Sequence, residues 1–319
     1  MSSCKVCGNI EGNKFYQIKE MQLGTREVFT YMECGNCGCL QLQDMPADPG
    51  KYYPNQDYYS FKLELKFKNP SLLQKLKSSW LLEGKNPLAG KLLSIGYKVP
   101  DFYSWMRNAK IKYDDAILDV GTGNGGLLSN LYKIGYTNLT GIDPFIEKDQ
   151  QYGKVSILKK DIYEVEGRYD FIMLHHAFEH MNEPLKVLKQ LYKLLNKGKY
   201  LLIRTPMMGV YSWQKYKEHW MDIDAPRHII VHTPKSMAIL AEQAGFEIKM
   251  IEYDANYMSL IGSDQYIKDI AVNDPNSYMK NKAGSGYTKK DIEQFKKTAK
   301  EINEQQEGDQ AAFYLYKPD

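Results

Sequence analysis

A chain of 319 residues is long enough for one full α/β domain and a smaller module, and 43% hydrophobic with 25% charged residues is an ordinary globular composition. A net charge of +3, with no basic block beyond pairs such as Lys159-Lys160 and Lys289-Lys290, argues against a nucleic-acid partner. No apolar run is long enough to span a bilayer, and Met1-Ser2-Ser3-Cys4 lacks the apolar core of a secretory leader, so the expected compartment is the cytoplasm, where thiols stay reduced.

The chain opens on two knuckles, Cys4-Lys-Val-Cys7 and Cys34-Gly-Asn-Cys37, each followed by a glycine that lets backbone amides turn toward the sulfurs. Two such pairs make a closed four-thiolate site, so Cys4, Cys7, Cys34 and Cys37 are expected to hold one structural Zn2+. Phe15-Tyr16 and Val28-Phe29-Thr30-Tyr31 between them read as short strands of a zinc ribbon over residues 1–50. So small a module has little core, and the metal is expected to supply much of its folding energy. Free thiols, two disulfides or a redox pair are the competing readings. Cys39, left over at the head of Cys39-Leu40-Gln41-Leu42, reads as a core residue.

Residues 51–110 form an arm with Tyr52, Tyr53, Tyr58 and Tyr59 crowded together, then a helical stretch through Leu72, Leu73, Leu76, Trp80 and Leu81, punctuated by Pro87 and Pro100. Tyrosines in that density suit either the wall of a ligand cleft or an arm wrapped on a core.

From about Asp115 strands and helices alternate. The strands are Ala116–Val120, Leu139–Ile142, Val155–Leu158, Asp170–Leu174, Tyr200–Ile203, Phe246–Ile251 and Ala312–Leu315. This predicts, over 111–319, a Rossmann-like α/β fold: a seven-stranded, mostly parallel sheet with helices on both faces. The first strand ends in Asp119-x-Gly121-x-Gly123-x-Gly125-Gly126, where glycines permit a tight turn and close approach of a ligand at the carboxyl end of the sheet. The glycines alone also fit a dinucleotide. Three features favour S-adenosylmethionine (SAM): Asp119 inside the strand, Asp161 after the third strand, and a polar cluster at the exit of the fourth. Asp143, ending the second strand, would hold ribose hydroxyls in either case. Each aspartate alone could be a loop cap.

Ile117-Leu-Asp119-Val-Gly121-Thr-Gly123-Asn-Gly125-Gly126, Gly141-Ile-Asp143-Pro144, and Tyr169-Asp170-Phe171 leading to Phe178-Glu179-His180 resemble the class I SAM-dependent methyltransferases, most closely the branch with the ubiquinone-biosynthesis O-methyltransferases. The knuckles with the tyrosine arm, and the segments Gly262-Ser263-Asp264-Gln265-Tyr266 and Gly308-Asp309-Gln310-Ala311-Ala312-Phe313, resemble a narrower group tied to surface-glycan and sugar biosynthesis. The resemblance implies that Asp119, Gly121 and Gly123 line the methionine side of SAM; Gly125 and His175 are further expected cofactor-binding residues. It places Asp143 on the ribose and Asp161 with Ile162 on adenine. Where some relatives carry Glu-x-x-Glu-His as a divalent-metal cluster, this chain has His176 first, so a catalytic magnesium is not implied.

All six histidines fall between His175 and His232. His180 is the expected general base, oriented by Glu179, with His176 lining the acceptor pocket and His228 next in line. His176-x-x-Glu179-His180 also spells a zinc-peptidase signature, which belongs on a long helix and is set aside. Trp220-Met-Asp222-Ile-Asp224-Ala-Pro226-Arg227-His228 is the expected acceptor loop, with a sugar stacked on Trp220. The expected function is O-methylation of a sugar or glycan precursor. C-methylation of a nucleotide-linked keto sugar, a zinc-ribbon nucleic-acid-binding protein and an NAD-dependent oxidoreductase are the alternatives. The sequence does not fix the oligomeric state.

Overall fold

A computed structural model describes residues 2–53 and 67–319; Tyr58 and Tyr59 of the arm lie outside the described residues. The knuckles turn at Gly8 and Gly38, both at positive φ (72° and 73°). Their amides point at sulfur as expected: Val6 N lies 3.4 Å from Cys4 Sγ, and Asn36 N 3.4 Å from Cys34 Sγ. Between and after them run β1 (Lys14–Lys19), β2 (Val28–Glu33) and β3 (Leu40–Leu42), an antiparallel meander.

The arm leads into α1 (Leu72–Glu83), which starts on a Ser71–Gln74 capping box and stops at left-handed Gly84. The short helices α2 (Pro87–Leu93) and α3 (Phe102–Asn108) follow. The alternating region comprises β4 (Ile117–Val120), α4 (Gly126–Ile134), β5 (Leu139–Ile142), β6 (Gln150–Tyr152), β7 (Val155–Leu158), β8 (Tyr169–His175), α5 (Pro184–Leu194) and β9 (Leu195–Pro206). Then come α6 (Tyr211–Tyr216), β10 (Ile230–Val231), α7 (Pro234–Ala244), β11 (Glu247–Tyr253), α8 (Tyr257–Ile267), α9 (Lys289–Glu304) and β12 (Gln310–Tyr316).

The main sheet runs β11-β12-β9-β8-β4-β5-β7-β6. Its centre, β9 to β7, is parallel; β12 and β6 run against their neighbours. The mixed sheet flanked by helices matches the expected class, with eight strands rather than seven. The extra strand, β6, is three polar-rich residues at an edge, turned back at Gly153, and has too little apolar alternation to announce itself.

Successive residues of the central strands bury opposite faces, as period-two geometry requires. Leu118, Ile172, Leu174, Leu201, Ile203 and Phe313 share one core with Leu188 and Leu191 of α5 and Leu240 of α7. Ile117, Phe171, Met173, Leu202 and Tyr314 share the other with Tyr103 and Met106 of α3 and Leu128 and Leu131 of α4.

The ribbon is not a core-poor satellite, which corrects the expectation drawn from its size. β10 pairs with β3 (Val231↔Leu40) and completes the ribbon's sheet. Cys4, Val6, Met32 and the buried cysteines belong to the first core, while Ile18, Tyr31, Leu40 and Leu42 pack with Trp213, Trp220 and Leu260. The module's apolar groups are therefore buried by the rest of the chain, not by metal alone.

Candidate active site and metal centre

The glycine loop leaves β4 with Gly121, Gly123 and Gly125 all at positive φ (76°, 56° and 86°), a backbone path other residues rarely follow. A Cβ at Gly121 would lie 2.6 Å from Ala177 Cβ, so a side chain there would collide with the exit of β8. Asp119 is buried and accepts a hydrogen bond from Thr122 Oγ1 at 2.8 Å, which orders the loop. Burial, opposed by Thr122 and reinforced by the like charge of Asp143, pushes its carboxyl up to about 7. Asp143, at the end of β5, is buried with both oxygens engaged: Gly123 N donates to Oδ2 at 3.0 Å and Phe145 N to Oδ1 at 2.9 Å. It pins the loop that it is expected to help face a ligand.

Asp161 and Ile162 behave more modestly. Asp161 is exposed and caps a short turn, accepting from Tyr163 N at 3.0 Å. Ile162 is buried in the first core, which leaves backbone rather than side chain for a ligand. His175 ends β8 with its ring 4.2 Å from that of Trp105 in α3. Both its ring nitrogens are buried without a hydrogen-bond partner among the described residues. Burial, aided by the Arg204 cation, keeps it neutral far below the usual histidine range.

Beyond β8 the chain makes a single short turn, Phe178–His180, and no long helix, which removes the peptidase reading. His176 sits at φ 50°, held by its own N–H on Arg204 O at 2.9 Å. Arg204 Nη1 contacts its Nε2, and its Nδ1 lies 3.3 Å from Glu179 Oε1. A guanidinium can only donate, so Nε2 is the acceptor and Nδ1 carries the proton. Glu179 is fully buried and accepts from Thr205 Oγ1 at 3.0 Å. Burial opposes its charge, but the His176 bond and the fields of His228 and His180 outweigh it and hold the carboxyl well below its usual range.

Glu179 is not what orients His180, contrary to expectation. His180 Nδ1 lies 2.8 Å from the Arg227 carbonyl, with Tyr53 Oη at 3.3 Å. A carbonyl only accepts, so Nδ1 bears hydrogen and Nε2 is bare. His228 repeats the device: Nδ1 lies 2.7 Å from the Asp222 carbonyl, and burial, against the pull of Asp224, lowers it to about 4. The two rings stand 4.8 Å apart, edge to face. One ligand atom each from Glu179, His180 and His228 falls within a mutual 4.8 Å.

The acceptor loop is partly corrected. Trp220 is 1% exposed and lies in the core of the ribbon's sheet, where no sugar can stack on it. Asp222 is half-buried and accepts from Ser259 Oγ at 2.8 Å and Gln310 Nε2 at 3.3 Å; desolvation, with Asp309 nearby, raises it to about 8. Asp224 is paired with Arg227, whose Nη1 reaches the Tyr52 carbonyl at 3.2 Å and ties the arm to the loop. His219 stands outside the cluster on a surface turn, and His232 is buried against Phe178, so four histidines, not six, surround the cleft. Arg204 and Thr205 were missed; their signal is their place at the carboxyl end of a central strand.

The four knuckle sulfurs lie within 4.8 Å of one another, with Cys4–Cys37 at 3.6 Å and Cys7–Cys34 at 3.5 Å. A zinc tetrahedron with ~2.3 Å bonds has edges of ~3.8 Å, so the thiols fit such an ion. Cys39 is core as expected, yet its sulfur also sits 3.6 Å from Cys4 and 3.5 Å from Cys37. Bonds to Cys37 and Cys4 together with burial push its thiol far above its usual range.

Residues 85–250 match the methyltransferase domain family. The chain is 54% identical over 39 residues to EEF1A lysine methyltransferase 2 of Homo sapiens and of Mus musculus, a stretch that covers 12% of this chain and 16% of each relative. In shape it is similar to a solved complex of the Haloferax volcanii Trm112 methyltransferase activator with a methyltransferase (TM-score 0.47, 15% identity, 76% of this chain and 98% of that one). It is similar also to a Haemonchus contortus N-methyltransferase solved with S-adenosylhomocysteine (TM-score 0.46, 15% identity, 97% of this chain and 69% of that one). With the family match spanning more than half of its length, the chain belongs to the methyltransferase domain family.

Proposed function

We propose that this enzyme methylates a hydroxyl of a sugar or glycan precursor, with His180 as general base. Family membership removes the oxidoreductase alternative. SAM supplies an electrophilic methyl carbon on a sulfonium. Asp119, a buried carboxyl whose charged neighbour is another carboxylate, suits the cationic methionine end; the glycine loop gives the close approach, and Asp143 takes the ribose. Asp161 and the Ile162 backbone take adenine. The enzyme's remaining task is to align an acceptor and receive its proton.

The observation that carries the reading is the bare Nε2 of His180, fixed by the Arg227 carbonyl, on a ring that Tyr53 also flanks. His176 cannot play the same part, because its Nε2 is taken by Arg204. His228 offers a second bare nitrogen, and Tyr53, beside both His180 and Phe145, lines the space between base and cofactor. The glycan assignment rests on the sequence resemblance. His180→Ala should cost on the order of 10²–10⁴ in methyl transfer to a sugar-nucleotide acceptor, while SAM affinity holds. Unchanged turnover in the folded variant would end the base assignment.

A second reading has one observation in its favour. Three lone-pair-bearing atoms, from Glu179, His180 and His228, converge as ligands of a divalent ion would. Under that reading a mild chelator stops catalysis while the four-cysteine metal stays bound; under the base reading it does not. C-methylation of a keto sugar would use the same base on a carbon acid, and analysis of the methylated position separates the two.

A further inference from the structure

The segment 67–112 differs from the rest of the chain in charge. It holds nine lysines and arginines against two acidic residues, while the whole chain holds 42 against 39. It also carries the densest exposure of large apolar side chains among the described residues. Leu88, Leu92 and Ile95 are 90%, 70% and 78% exposed. Their spacing of four and three puts them on one side of α2 and its terminal turn. The opposite side is the packed one: Gly90 is buried, and a Cβ there would lie 2.1 Å from Trp80 Cβ of α1. The stripe is therefore turned outward by the helix's own packing. Exposed Lys85, Lys91 and Lys98 flank it; Lys85 is 3.2 Å from Glu83, and Lys91 lies over the Trp80 ring.

We propose that α1–α2 docks this enzyme on an anionic lipid surface, with Leu88, Leu92 and Ile95 entering the boundary between headgroups and acyl chains and the lysines meeting the anionic heads. An apolar stripe bordered by lysine is the pattern of a helix that lies in a membrane interface. No described helix is long and apolar enough to cross a membrane, so this is contact from one side. A second copy of the chain is disfavoured as the occupant, because a two-fold contact would set this basic segment against itself. Nucleic acid is disfavoured because the outward residues are aliphatic, with no aromatic platform for a base. The inference is independent of the acceptor and of the general base.

The test is flotation of the full-length protein with vesicles of phosphatidylcholine alone or with a third phosphatidylglycerol, at low and high salt. Binding at least tenfold stronger to the anionic vesicles, weakened by salt, is expected. Leu88→Glu with Leu92→Glu should lower that binding tenfold or more, and Lys85, Lys91 and Lys98→Gln should remove most of its salt dependence. Both variants should bind SAM as the parent does, which shows that they fold. Equal binding to neutral vesicles, no binding, or unaltered binding by the Leu88/Leu92 variant overturns the proposal. So does a parent dimer in sedimentation that the same variant dissociates, or vesicle binding abolished by competing RNA.

Discussion

Asp119 is a carboxyl group whose environment resists its charge: burial comes first, and the neighbouring Asp143 adds to it. In the folded, unliganded enzyme it titrates at about 7, above the usual ~3.9. A cationic group bound beside it favours the ionised form and lowers that value. Below pH 7, therefore, SAM binding must expel a proton, and affinity must rise with pH by up to tenfold per unit until about 7, where the slope ends. Calorimetry at pH 6 in buffers of different ionisation enthalpy should show close to one proton released, and Asp119→Asn should abolish both release and slope. A proton count near zero in the parent would place the cationic end of SAM elsewhere. His176, His180 and His228 obey the same logic of partners: in each the partner names the proton-bearing nitrogen, and of these three His180 and His228 keep the other one bare.

At the scale of elements, the order of strands and the glycine turn were legible because they depend on local pattern: apolar runs of four to seven residues, Gly135 and Gly245 as helix stops, Thr233-Pro234 as a start. The aspartates at strand ends were legible for the same reason. What local pattern could not supply was the direction of side chains in irregular segments. Trp220 looked like a stacking platform because it stands among Asp222, Asp224 and Arg227, yet Ile223, Trp213 and Leu260 share its core. Glu179 looked like the partner of its neighbour His180, yet the short turn sends it to His176 and Thr205. Arg204 could not be seen at all, since its partners His176, Asp254 and Gln310 come from three other segments. Trp220→Ala should accordingly cost about 3–5 kcal/mol of stability, as a buried aromatic does, and leave the acceptor KM of the surviving folded enzyme near that of the parent. Denaturant unfolding with steady-state kinetics checks this; a large KM effect with full stability would return Trp220 to the pocket.

At the scale of the molecule, the ribbon and the catalytic sheet share cores, so they should melt together. Protein prepared without added metal should contain about one zinc per chain, as a single closed four-ligand site requires. Stripping it with a strong chelator should lower the temperature of one cooperative transition in scanning calorimetry. A small early transition ahead of an unchanged main one would show the ribbon to be a separate unit. The pairing of Val231 with Leu40 has a further consequence, for the time course of synthesis. A chain made from its N-terminus presents β1 to β3 long before β10 exists. At ~5–20 residues per second the ribbon waits on the order of ten seconds or more for its last strand, with the open edge of β3 and its apolar Leu40 and Leu42 uncovered. Over that interval the segment has the β1–β2–β3 pairings and the meeting of its two cysteine knuckles to close it. An ion captured there would clamp the half-built sheet in register until the other half arrives.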